Sequence, residues 1–211
     1  MASSTPLSLN ARKRPVQARA AVTLDAIFEA TIQLLLIDGP QRLTTTRVAK
    51  RAGVSVGTMY QYFPHKQALI YALNERYLDA LAEKIETVCH RHRDTPAGQM
   101  VEALIDVYWK AKTERPDVTR ALYRSVADMD NGALIDAFAV RTDAATTAML
   151  KTASDTTFAN LESVNRTLVT VIFGTVRNAF ERDLVGADAG DLRRQLLLMC
   201  RAYLLHHHQA S

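Results

Sequence analysis

The chain of 211 residues holds only two cysteines, six prolines and eight glycines. Cys89 and Cys200 are too few to staple a small secreted fold. A disulfide framework is therefore excluded, and a reducing, cytoplasmic setting is the expectation. Scarce proline and glycine, with no alternating Val/Ile/Thr pattern, argue against sheets and for an all-α fold. No apolar run approaches the roughly 18 residues of a membrane span, and Arg12-Lys13-Arg14 precedes no secretory apolar segment, so no membrane partner is expected. Catalytic constellations are missing too: no Ser/His/Asp arrangement, phosphate-cradling glycine loop or paired carboxylates can be singled out. An enzyme is not expected, and neither is a cofactor. Cys89 and His92 lie one turn apart, but a metal would need two further ligands. His206-His207-His208 reads as a fraying tail, so no metal site is assigned.

What is present is uneven charge. Residues 1 to 66 carry nine Lys or Arg against three acids, within a formal net charge of only +4, which leaves the remainder slightly acidic. A basic end of this kind suits the DNA backbone. Residues 1 to 20, rich in Ser, Ala and Arg, read as a disordered basic arm in which Arg12, Lys13 and Arg14 could reach a minor groove.

The stretch from Thr44 to Phe63 is the most informative. Thr44 or Thr45 can cap a short helix whose Val48, Ala49 and Ala52 share a face. Gly53 ends it in a left-handed turn, and Ser55 can cap a second helix running to about Tyr62. In that helix Met59 and Phe63 are expected to face the core, leaving Val56, Gly57, Thr58, Gln61 and Tyr62 outward. Glycine weakens a helix interior by roughly 1 kcal/mol, so Gly57 suggests that something approaches the backbone closely. Two short helices about a glycine turn make a helix-turn-helix, a shape that DNA reads.

The run Thr44-Thr45-Thr46, then Ala49-Lys50-Arg51-Ala52-Gly53-Val54-Ser55, Gly57-Thr58-Met59-Tyr60-Gln61-Tyr62-Phe63 and Lys66 resembles the DNA-binding domain of the TetR family of bacterial transcriptional regulators. The resemblance covers about residues 20 to 75. It departs at His65, where the family carries a better helix cap. It implies a three-helix DNA-binding domain over 21–68 and a larger helical ligand-binding and dimerisation domain over 69–211. Thr45, Tyr60 and Lys66 match family positions that touch phosphates. Thr46, Ser55, Val56, Thr58, Gln61 and Tyr62 line the face entering the major groove, and Arg47 and Gly57 complete the expected DNA contacts.

Helix 1 is expected from Thr23, with Val22 and Ile27 as a staple and Leu24, Ile27, Phe28, Thr31, Leu34 and Leu35 buried, to Gly39-Pro40. A long helix should run from about Lys66 towards Val88, a further one should be opened by Asp94-Thr95-Pro96 and broken at Arg115-Pro116, shorter ones should lie around 117–127 and 133–153, and two last ones after the cap candidates Asp155, Thr156 and Thr157 and after Gly190-Asp191. Leu161, Leu168 and Ile172, with Leu196, Leu198, Met199 and Tyr203, form stripes that suggest packing on a second subunit, the alternative being the central helices of a monomeric core; the family resemblance implies a homodimer through a four-helix interface. The family resemblance implies a small-molecule pocket. Tyr108, Trp109, Tyr123, Met129, Phe138, Met149, Phe158 and Phe173 could line it, for an apolar or aromatic effector. The reading is a dimeric repressor of a palindromic operator on double-stranded DNA, released by an unidentified small molecule. A ligand-independent or architectural DNA-binding protein would instead show a filled second core, and a helical enzyme would need a polar, titratable cleft.

Overall fold

The computed structural model describes residues 18–126, 129–184 and 186–207. Arg12, Lys13 and Arg14, Asp128 and His208 lie outside them. Among the described residues there are nine α-helices and no strand: α1 Ala18–Asp38, α2 Thr45–Ala52, α3 Val56–Tyr62, α4 Lys66–Arg91, α5 Ala97–Thr113, α6 Pro116–Ser125, α7 Gly132–Leu150, α8 Leu161–Glu181 and α9 Gly186–His206. The all-helical reading holds.

Chain contacts divide the molecule into two compact units, one ending at Tyr77 but including Asp117–Gly132, the other formed by Leu78–Pro116 and the chain from Ala133 on. Residue 68, the boundary expected from the sequence, falls inside α4. The first unit is closed by Ile27, Phe28, Leu34 and Leu35 of α1, Val48 and Ala49 of α2, Met59 of α3, Phe63, and Leu69 and Leu73 of α4, with Val118 and Leu122 of α6 added. In the second, Leu81, Ile85, Met100, Leu104, Ile105 and Tyr108 meet Leu168, Ile172, Val176, Leu196 and Cys200.

Several helix ends differ from expectation. α1 begins at Ala18, upstream of Thr23, and Val22 is 68% exposed, so it staples nothing. One sequence criterion also fails: Ala20–Asp38 is 19 residues long with mean hydropathy 1.7, enough by length and composition to cross a membrane. Its apolar stripe, Ile27, Phe28, Leu34 and Leu35, is nevertheless the core of the first unit, which accounts for the hydropathy. α8 is capped by Asn160, whose side chain accepts from Ser163 N at 3.1 Å. Asp155, expected there, instead accepts from Ala97 N at 2.8 Å and caps α5, whose own preceding residue, Pro96, has no side-chain acceptor. α9 starts before Gly190, at Gly186.

The stripes assigned to a subunit interface divide in two. Leu168, Ile172 and Leu196 are 2%, 0% and 2% exposed within one protomer, because α8 and α9 turn these residues onto α5. They cannot also face a partner. Leu161 and Tyr203 are half-buried, whereas Leu198 and Met199 stand 59% and 51% exposed.

Candidate nucleic-acid interface

Local capping builds the helix-turn-helix. Thr44, extended at φ −135° and ψ 149°, accepts the Arg47 N–H on Oγ1 at 3.2 Å, while its carbonyl takes Val48 N at 3.0 Å. Gly53, at φ 68° and ψ 26°, closes α2 by donating to Ala49 and Lys50 carbonyls. A side chain there would hold a strained left-handed backbone, which is why glycine stands at this position. Val54 N returns to Ala49 O at 3.0 Å. Ser55 Oγ then accepts Thr58 N at 2.9 Å and lies 2.8 Å from Thr58 Oγ1. Phe63 ends α3 by donating to Met59 O at 2.9 Å. His65 does cap α4: its Nδ1 accepts from Ala68 N at 3.1 Å, so the ring performs the task that the sequence reading doubted.

α3 has only seven residues, and Met59 and Tyr62 share its buried face. Tyr62 is 8% exposed, contrary to the outward position expected of it. Phe63 lies beyond the last turn and serves as the cap, so the inward face is the pair three apart, Met59 and Tyr62. Val56, Gly57, Tyr60 and Gln61 remain exposed, with Thr58 half-buried at their side. A Cβ on Gly57 would meet nothing closer than Ser55 Oγ at 3.7 Å among the described residues, so none of them demands glycine there.

On α2, Thr46 is exposed and Thr45 buried at 8%. Arg47 is engaged with the Asp38 carboxylate and donates to Arg42 O at 2.7 Å. Lys66 Nζ donates to Pro40 O at 3.2 Å, leaving donors for another group.

The residues expected to line an effector pocket are shared between the two units. Tyr123 and Met129 belong to the first unit. In the second, the Tyr108 ring stacks on Phe173 at 4.1 Å, and Phe138 tilts against Phe173 at 5.9 Å. Met149 is fully buried, and Trp109 and Phe158 pack half-buried on the same core. A cavity of about 780 Å³ opens between α4 and α5, lined by Ala80, Thr87, Val88, Val107, Lys110 and Glu114 among others, and by none of the eight. Sequence reasoning also missed Lys112, 1% exposed and 5.2 Å from the Tyr108 ring centroid. Burial first, and the Arg177 charge second, push its pKa down to about 7. The signal was available: Lys112 follows Leu104, Ile105 and Tyr108 at helical spacing on the apolar face of α5. Among the described residues no group of three or more His, Cys, Asp or Glu converges as a metal site.

Two family models match the chain. One, described as bacterial regulatory proteins of the tetR family, covers residues 27–73, and the other, described as a tetracyclin repressor-like C-terminal domain, covers 96–204. The nucleoid occlusion factor SlmA of Actinobacillus pleuropneumoniae is 36% identical over 97 residues, 46% of this chain and 47% of that protein. SlmA of Haemophilus ducreyi is 33% identical over 109 residues, 51% and 53% of the two chains. The chain thus spans about half the length of the curated relatives it matches. Among solved structures, the fatty acid degradation regulator FadR from Bacillus halodurans superposes with a TM-score of 0.68 at 16% identity, over 93% of this chain and 100% of that one. A TetR transcription regulator from Haloarcula marismortui gives 0.67 at 23%, over 90% and 100%. At such identities the likeness is one of fold.

Proposed function

Because this chain belongs to the TetR family of bacterial regulatory proteins and is a DNA-binding transcriptional regulator, we propose that it is a repressor that binds a palindromic operator as a homodimer and leaves it when a small molecule binds the second unit. The observation that carries the reading is the dressing of α3: a fully capped helix whose outward residues, Val56, Gly57, Tyr60 and Gln61, contribute nothing to the core. Side chains so exposed on a rigid element are free to be spent on a groove. Gln61 has the amide to pair with an adenine edge, and the Thr58 methyl can meet a thymine methyl. Thr46 and Ser55 flank them, while Thr45, Tyr60 and Lys66 are assigned to phosphates.

A second copy would seat on the outer face of α9, where Leu198, Met199 and Leu205 are exposed, and on α8, which exposes the small residues Thr167, Thr170 and Gly174. A palindromic operator would offer the α3 of each subunit one of two half-sites in successive major grooves, about 34 Å apart. The space the second unit offers an effector is the cavity between α4 and α5, where Val88, Val107 and Ala111 give the lining an apolar part. Binding-site selection with the purified protein, followed by a small-molecule screen for release from the selected DNA, tests the proposal. Failure to select any inverted repeat would refute it. The packing of Tyr108 and Phe138 on Phe173, which fills part of the second core, favours a second reading, a DNA-binding factor without a small-molecule effector. Occupancy at many chromosomal sites, unaltered by every compound that stabilises the protein, would favour it.

A further inference from the structure

Arg47 and Asp38 both stand where their helices disfavour them. Arg47 is a cation in the first turn of α2, at the positive end of the helix dipole, with its backbone N–H already taken by Thr44 Oγ1 at 3.2 Å. Asp38 is an anion at the last position of α1, the negative end. Neither charge aids its own helix. Together they do: the guanidinium lies by the C-terminal end of α1 and the carboxylate by the N-terminal end of α2, an arrangement that is favourable only while the two helix ends stay adjacent. The pair is not a loose surface contact, since the Asp38 side chain is 16% exposed against 43% for Arg47, and the second arm of the guanidinium fork donates to Arg42 O at 2.7 Å.

The loop between them, turned by Gly39 at φ 72°, is held again from α4 by Lys66 Nζ on Pro40 O at 3.2 Å. One turn further along α2, Arg51 Nε donates to Gln33 Oε1 at 2.7 Å, and Gln33 Nε2 to Glu29 Oε1 at 3.1 Å. The basic face of α2 therefore grips α1.

We propose that the Asp38–Arg47–Arg42 carbonyl clamp is the device that positions α2 and α3 for the groove, and that Arg47 acts through it and not as a phosphate contact. The proposal rests on the reading of this unit as DNA-binding, and the two are separable. The discriminating variant is Asp38→Asn, because the alternatives predict opposite signs. If Arg47 serves DNA directly, removing the carboxylate frees a cation and deletes a negative charge near the phosphates, so binding tightens. If Arg47 is a positioning residue, binding weakens.

Operator affinity measured by fluorescence anisotropy over a salt series should fall about three- to tenfold for both Asp38→Asn and Arg47→Gln, with the salt slope of the full-length protein unchanged. The double variant should be no weaker than either single one. Arg47→Lys, which keeps the charge but loses the two-armed fork, should not restore affinity. Circular dichroism at the assay temperature checks that each variant is folded. Tighter binding by Asp38→Asn, or a slope reduced by about one per subunit in Arg47→Gln, would overturn the proposal. So would wild-type affinity in Asp38→Asn. A wild-type protein that bound no selected DNA would instead sink the DNA-binding reading itself.

Discussion

Replacing Lys112 with methionine should stabilise the protein most at low pH. The ammonium is 1% exposed and lies 5.2 Å from the Tyr108 ring centroid. Burial, with the Arg177 charge adding to it, lowers its pKa from the ordinary 10.5 to about 7. In the unfolded chain the same amine keeps its proton to about 10.4. Between those two values the unfolded state binds more protons than the folded one, so stability rises with pH across that window, and the full penalty of burying the charge applies below about 7. At about 1.36 kcal/mol per tenfold change, the penalty is capped near 5 kcal/mol. The face of the Tyr108 ring returns roughly 1–2 kcal/mol of it. Lys112→Met, similar in length and without the charge, should then gain about 2–3 kcal/mol at pH 6. By pH 9, two units above the folded pKa, the wild type has shed about half of its penalty, and the gap should narrow by roughly 2–3 kcal/mol. Urea unfolding of both proteins at pH 6, 7, 8 and 9, at one fixed protein concentration, measures this. A difference that stayed constant or widened with pH would show that Lys112 is charged throughout and compensated where it lies.

The remaining expectations concern DNA reading, the turn and assembly. Gln61→Ala should lose about 1–3 kcal/mol of discrimination per half-site with little change in salt slope, whereas Lys66→Ala should weaken all DNA alike and lower the slope by about one per subunit. Binding-site selection decides, and an unchanged consensus for Gln61→Ala would show that α3 is misassigned. Gly53→Ala must hold a left-handed backbone at φ 68°; it should cost about 1–2 kcal/mol, seen as a lower Tm, and no loss would mean that the turn relaxes easily. Leu198→Asp, at a position 59% exposed, should yield folded monomers in sedimentation, while Leu168→Asp, at 2%, should unfold the protomer. A dimeric Leu198→Asp protein would remove the α9 face from the interface.

Legibility followed the range of the interactions. Thr44, Gly53 and Ser55 act on partners three or four residues away, so the ends of α2 and α3 could be read from local spacing. Asp155 could not, because the helix it caps lies 58 residues back in the chain. The apolar stripes of α8 and α9 were visible, but composition does not say which apolar residue faces α5 and which faces outward, so Leu168, Ile172 and Leu196 were assigned to the wrong side. Tyr62 was misplaced because helical phase is poorly determined over seven residues, when one residue's error at the cap rotates the inferred face by about 100°. The Asp38–Arg47 clamp crosses a loop and has no periodicity to reveal it.

The division of labour within α3 bears on how such a protein changes over generations. Its hold on the body of the domain rests on Met59, Tyr62 and the neighbouring Phe63, and its start on Ser55 and Thr58. Positions 56, 57, 60 and 61 carry almost none of that burden, and even Gly57 has room for a methyl group. Surface substitutions of this kind usually alter stability by no more than about 0.5 kcal/mol. Duplicated copies could therefore exchange residues 56, 57 and 61 and acquire new target sequences without first gaining stability, so divergence in the DNA read can run ahead of divergence in the fold.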